Sequence, residues 1–231
     1  MRKLFKPLTV TLLIAGTGMA FAAGGGSMPP PSMGSMSRPE PAQTPQEQAL
    51  DAYNAGVGVV EKADQLMADA SHQDDAKKQQ KDIGKAKSGY ASALKKFSKA
   101  TELNPQMHEA WNYVGYTNRQ LGNYEASLAA YDHALALKPG YPEAIEYRGH
   151  AYLGLNRLND AKDAYLELFG SNRKLAAQLL AAMQDWVGQH RGNAAGVDGA
   201  SVEAFASWVS ERSTIASQTA SLTREGASAR W

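Results

Sequence analysis

Histidines and carboxylates are the side chains most able to do acid–base or metal chemistry here, and their spacing supports neither. The five histidines, His72, His108, His133, His150 and His190, include no HExxH pair, the pattern that sets two imidazoles on one helix face around a metal. No cysteine is present, so neither a thiolate metal site nor a disulfide can form. A GxxxxGK[ST] phosphate loop, a GxGxxG turn after a strand and a GxSxG elbow are all missing from the sequence. The expectation is no catalytic residue, no bound metal, no cofactor and no enzyme activity.

Two other groups are suited to binding rather than turnover. Lys77, Lys81 and Lys85 recur every fourth residue, with Lys78, Lys87, Lys95, Lys96 and Lys99 nearby, so a helix there would carry a basic stripe. Such a stripe attracts an anionic envelope surface or an acidic partner. Glu61, Asp64, Asp74 and Asp75 are close enough in sequence to neutralise it, and pairing with them is the expected state. Met28, Met33 and Met36 are soft side chains that could take Cu(I) in an exported protein. Their surroundings, GGGSMPPPSMGSMSRPEPAQT, read instead as a linker that cannot bury enough apolar area to order itself.

The elements that must position these groups come after an export leader. Arg2, Lys3 and Lys6 precede an apolar stretch from Leu8 to Ala22 that ends in Ala20-Phe21-Ala22, a small-x-small cleavage pattern. The stretch is shorter than the roughly 20 residues needed to span a bilayer, so residues 1–22 are expected to be cleaved and the protein to be periplasmic or secreted, without stable membrane insertion. A lipid anchor of the cysteine-linked kind is excluded by composition. Removal of the leader leaves 21 basic against 23 acidic residues, a balance unlike that of a nucleic-acid binder. Residues 23–45 are the expected disordered linker.

Beyond Pro45 apolar residues recur at spacings of three and four, as in Leu50, Tyr53, Val57 and Val60. Helices are predicted over 46–70, 75–102, 108–121, 124–137, 142–155, 158–169, 172–189 and 199–221, with Pro105, Pro139 and Pro142 at boundaries. No alternating strand pattern appears, so the fold class is all-α.

Tyr90, Ala93, Phe97, Ala100, Leu103 and Pro105 are echoed by Tyr124, Ser127, Tyr131, Ala134, Leu137 and Pro139, a constant period of about 34 residues. A fixed period of this size marks stacked helical hairpins. Residues 108–141, with Trp111, Val114-Gly115, Ser127, Tyr131, Ala134 and Pro139, resemble a tetratricopeptide repeat, with Asn118 and Ser127 standing where Tyr and Ala are usual. Residues 142–175 keep Gly149, Tyr152, Ala161 and Tyr165 but place Arg148 and Arg173 at the usual Leu and Pro positions, so this unit reads as degenerate. If Gly56 matches Gly115, then Tyr90 matches Tyr124, and the stretch from Gly56 to Tyr90 is far longer than that from Gly115 to Tyr124. The excess, about 25 residues, predicts an elongated hairpin over 46–107, each helix longer by about 12 residues or roughly 18 Å.

The resemblance implies antiparallel hairpins stacked into a short right-handed superhelix, with residues 176–231 as capping helices and tail. It implies a concave groove lined by Glu109, Asn112, Tyr116, Arg119 and Gln120, then by Glu143, Glu146, His150, Leu153 and Gly154. Such a groove holds a peptide or protein, and the implied function is a periplasmic interaction scaffold. The family's carboxylate clamp is met only at Lys78, since Asp82, Tyr113, Glu143 and Tyr147 occupy its other places. Val202, Phe205, Val209, Arg212, Ala216 and Thr219, with Trp208 and Ile215 beside them, make the last helix the expected cap, and Trp231 a possible anchor for a partner.

Overall fold

Close approach of helix backbones organises the molecule, and glycine permits it. The computed structural model describes residues 42–192 and 196–228, with side chains as far as Thr219. The export leader, Met28, Met33, Met36 and Trp231 lie outside the described residues. From Pro45 onward the chain forms one unit. Among the described residues it contains eight helices: α1 Pro45–Ser71, α2 Ala76–Leu103, α3 His108–Gln120, α4 Tyr124–Leu137, α5 Pro142–Gly154, α6 Leu158–Ser171, α7 Arg173–His190 and α8 Gly199–Ser228. No strand occurs among them.

Local chemistry sets the boundaries. Asp75 caps α2, its carboxylate accepting from the backbone N–H of Lys77 at 2.8 Å and of Lys78 at 3.2 Å. Pro142 begins α5, where its missing N–H costs nothing. Gly122 takes a left-handed φ of 85° in the α3–α4 turn. Asn156, one repeat length farther on, adopts φ 57° in the matching α5–α6 turn, a conformation that asparagine tolerates better than most residues.

A Cβ added to Gly56 would sit 2.6 Å from the Phe97 ring, and one added to Gly115 would press into the Tyr131 ring in the same way. Phe97 and Tyr131 stand one repeat length apart, so the two units share one register. In that register α1 continues from Gly56 to Ser71, whereas α3 continues from Gly115 only to Gln120. Likewise α2 begins at Ala76, well before Tyr90, whereas α4 begins at its equivalent, Tyr124. The extension is therefore uneven, about 15 Å on α1 and about 21 Å on α2.

The core tracks the stacking. Tyr53, Val57, Val60, Tyr90, Phe97 and Tyr113 join α1, α2 and α3. Leu128, Tyr131 and Ala134 of α4 pack with Tyr141 and with Ala144 and Ala151 of α5. The third unit departs from the pattern, because a Cβ added to Gly149 would meet Leu179 of α7, at 2.6 Å, instead of Tyr165. Tyr165 packs on Phe169 and Trp208, with ring centroids 5.6 and 5.5 Å away. Arg148, at the usual Leu position, bonds Asp132 at 3.0 Å, and the Arg173 guanidinium lies 3.4 Å over the Phe169 ring. Val202, Phe205 and Val209 of α8 are buried against α6 and α7, so α8 covers the apolar end of the stack.

Gly115→Leu is expected to destabilise the unit by about 3 kcal/mol or more, since the Tyr131 ring is enclosed and cannot retreat. Gly84→Ala, in mid-α2 with open space around it, should stabilise it by about 0.5–1 kcal/mol. Urea unfolding followed by circular dichroism checks both, and equal effects of the two substitutions would contradict this packing.

Candidate partner-binding face

The first helices of the hairpins carry the expected groove residues, and most of these are engaged by the protein itself. Asn112 is 1% exposed and Glu146 2% exposed. Tyr116 is buried, and its hydroxyl donates to Asp64 Oδ1 at 2.7 Å. Tyr90 donates to the same oxygen. Gln120 Nε2 donates to the Tyr116 hydroxyl at 2.9 Å, and Glu146 Oε1 lies 2.8 Å from His150 Nε2. The Arg119 guanidinium is enclosed between the Tyr116 and Tyr147 rings, 5.2 and 5.8 Å from their centroids. Gly154 lies flush against the Tyr124 ring, and Leu153 is buried. Glu109 and Glu143 remain half-buried at the border of this network.

The electrostatics result from enclosure. Burial first, and the Asp64 charge second, push the Tyr116 phenol well above its ordinary range. Burial likewise raises Tyr90, Tyr113 and Tyr141. Tyr53 and Tyr131 are pushed up to about 12, in both cases mainly by burial. Burial works against the Arg119 charge, yet the neighbouring Tyr131 and Tyr116 hold its pKa above the usual value. The Tyr131 hydroxyl is near this guanidinium without an aligned hydrogen bond, and Arg119 Nε and Nη2 have no aligned partner either.

Two features of the face arise only in the folded chain. Asp64, expected to pair with lysines, instead binds two tyrosine hydroxyls that the hairpin brings within reach. A row of rings also crosses the face. Tyr53 of α1 meets Tyr113 of α3 at 5.6 Å, Tyr113 meets Tyr116 at 6.2 Å, and Tyr116 meets Tyr147 of α5 at 5.3 Å. The signal for this row in the sequence is the spacing of Tyr113 and Tyr147 by one repeat length, which Glu109 and Glu143 repeat. After burial, Glu143 is the strongest influence on Tyr141, with Tyr53 and Glu109 next. The two carboxylates and the phenols thus form one local field.

The expected neutralisation of the α2 lysines by carboxylates of the first helix and its turn does not form. Asp64 is held by tyrosines and Asp75 caps the helix, while neither Glu61 nor Asp74 forms an ion pair with them among the described residues. The same residues contain no group of three His, Asp or Glu able to hold a metal, and no helix long and apolar enough to cross a membrane.

Residues 108–141 match the family model of the tetratricopeptide repeat, and the chain carries that repeat there. Among solved structures, the first tetratricopeptide domain of Spaghetti (RPAP3) bound to the HSP90 peptide SRMEEVD is 21% identical, covering 55% of this chain and 94% of its own, with a TM-score of 0.38. The MamA RS-1 ArsTM double mutant is 18% identical, covering 73% of this chain and 97% of its own, with a TM-score of 0.37.

Asp64→Ala should cost about 1–3 kcal/mol by leaving two enclosed hydroxyls without their acceptor. Adding Tyr90→Phe and Tyr116→Phe should recover part of that loss, because no orphaned hydroxyl remains; thermal melts of both variants check it. A pH dependence also arises from the raised phenols. The folded state keeps protons that the unfolded chain releases near pH 10, so this stability is complete below about pH 10 and lost as pH rises toward 12. Melts between pH 9 and 11 should fall less steeply for Tyr131→Phe than for the parent.

Proposed function

We propose that this chain is an exported scaffold without catalytic activity that holds a protein or peptide partner against the inner faces of α1, α3 and α5. The tetratricopeptide repeat at 108–141 supports the protein-binding role. The leader pattern from Arg2 to Ala22 supports export to the periplasm or beyond. The observation that carries the choice of face is the pair Glu109 and Glu143, at one repeat position in successive units and beside the phenols of Tyr53 and Tyr141.

This border presents the two carboxylates beside the phenols, with His108 3.2 Å from Glu109 and the Lys138 ammonium 4.5 Å over the Tyr141 ring as the basic groups at its edge. It suits an extended peptide with a basic side chain, donating to the carboxylates while its backbone meets the half-buried Tyr147 ring. A peptide ending in a free carboxylate is disfavoured by Glu143, which stands where a clamp would need a cation. Tyr116 and Arg119 contribute from beneath, as the support that fixes Tyr147 and the rim. Their substitution would report on packing rather than on binding.

Selection of displayed random peptides on the full chain is expected to enrich sequences rich in lysine or arginine. The Glu109→Lys, Glu143→Lys double variant should lose that enrichment while keeping its helicity and melting temperature, and Glu109→Asp, Glu143→Asp should retain it. Equal enrichment by the parent and the lysine variant would remove this face from consideration.

A further inference from the structure

The outer helix of the first hairpin carries a charged face that the peptide groove leaves unused. α2 holds eight lysines against the two carboxylates Asp82 and Glu102, an excess of six positive charges on 28 residues. The whole chain has a formal net charge of only +1, so this excess is local. At 3.6 residues per turn, Lys77, Lys78, Lys81 and Lys85 near the start and Lys95, Lys96 and Lys99 near the end share one arc of about 100°. The row runs about 33 Å along a helix that points its buried residues, Ala86, Tyr90, Ala93 and Phe97, the other way.

The row is little neutralised. Lys85 pairs with Asp82 at 2.8 Å, and Lys99 with Glu102 at 3.4 Å. Lys77, Lys78, Lys81, Lys95 and Lys96 form no ion pair among the described residues. Lys77, Lys78, Lys81 and Lys95 are exposed, and Lys96 is half-buried. Between the two lysine groups the same arc holds Ser88 and Ser92, both exposed. No aromatic ring stands there to insert or to stack.

We propose that this face docks the protein on an anionic lipid surface, lying flat on the headgroups without insertion. A straight row of this length reaches a plane with all its charges at once, and each lysine within a Debye length adds to the attraction. Single-stranded nucleic acid is a poorer fit, because its bases need aromatic platforms that the arc lacks. Duplex nucleic acid is usually read by arginine forks, and every cation of α2 is a lysine. The stripe is on the second helix of its hairpin while the proposed peptide face is on the first helices, so both contacts can be made together.

The test is sedimentation of the full chain with vesicles of equal parts phosphatidylglycerol and phosphatidylcholine, beside vesicles of phosphatidylcholine alone. The variant replaces Lys77, Lys78, Lys81, Lys95 and Lys96 with Gln, sparing the two paired lysines, and a second variant places Arg at the same five positions. Because all forms are identical outside these five positions, differences among them report on the stripe. The parent should bind the anionic vesicles at low salt, lose most binding at about 0.5 M salt, and bind neutral vesicles at least about tenfold more weakly. The Gln variant should lose about tenfold or more on anionic vesicles with unchanged helicity, and the Arg variant should match the parent. Equal binding of parent and Gln variant, or of parent to both vesicle types, overturns the proposal. So does tighter binding of the parent to duplex DNA, or to an acidic protein, than to the anionic vesicles.

Discussion

Two helices can cross this closely only where one of them has no side chain in the way, and the contacts between Gly56 and the Phe97 ring and between Gly115 and the Tyr131 ring are where that happens. Each ring fills the space that a methyl group would occupy. Once these contacts are made, the angle and register of each hairpin are set, and the interval between Phe97 and Tyr131 becomes a repeated geometry. The third unit shows the consequence of a changed arrangement. Gly149 receives Leu179 from α7, which releases Tyr165 to pack on Trp208 of α8, and the stack closes against a cap.

The long first hairpin is built on the same contact and uses its extra length in two ways. On its inner side the extension of α1 brings Asp64 over α3, where one carboxylate oxygen gathers the hydroxyls of Tyr90 and Tyr116. This draws the middle of the groove into the core, and leaves the half-buried Glu109, Glu143 and Tyr147 as its accessible chemistry. On its outer side the extension of α2 lengthens a lysine face that no carboxylate of α1 neutralises. One insertion therefore reshapes the inner face and creates a second, oppositely charged surface.

Helix positions are legible in the sequence because apolar spacing, Pro142, Asp75 and the turn glycines act locally. The match of Gly56 to Gly115 is legible because the repeat period survives around the insertion. The burial of Asn112, Tyr116 and Glu146 is not, because it depends on residues distant in sequence: Asp64 stands 52 positions before Tyr116. The expected lysine pairing does not form for a related reason. Helical spacing tells which side chains share a face of α2, but not which face of α1 opposes it. Asp64 turns inward to phenols and Asp75 turns back to cap its own helix.

The elongated hairpin is a repeat unit held by the same glycine-to-ring contact as residues 108–141. A double-mutant cycle on Gly56 and Phe97, read by urea unfolding, tests it directly. Gly56→Ala should destabilise the parent, because the new Cβ would stand 2.6 Å from the Phe97 ring. In a Phe97→Leu background the same change should cost little or nothing, giving a coupling of about 1 kcal/mol or more. An identical penalty in both backgrounds would mean that Gly56 does not face Phe97, and the shared register of the two units would fall with it.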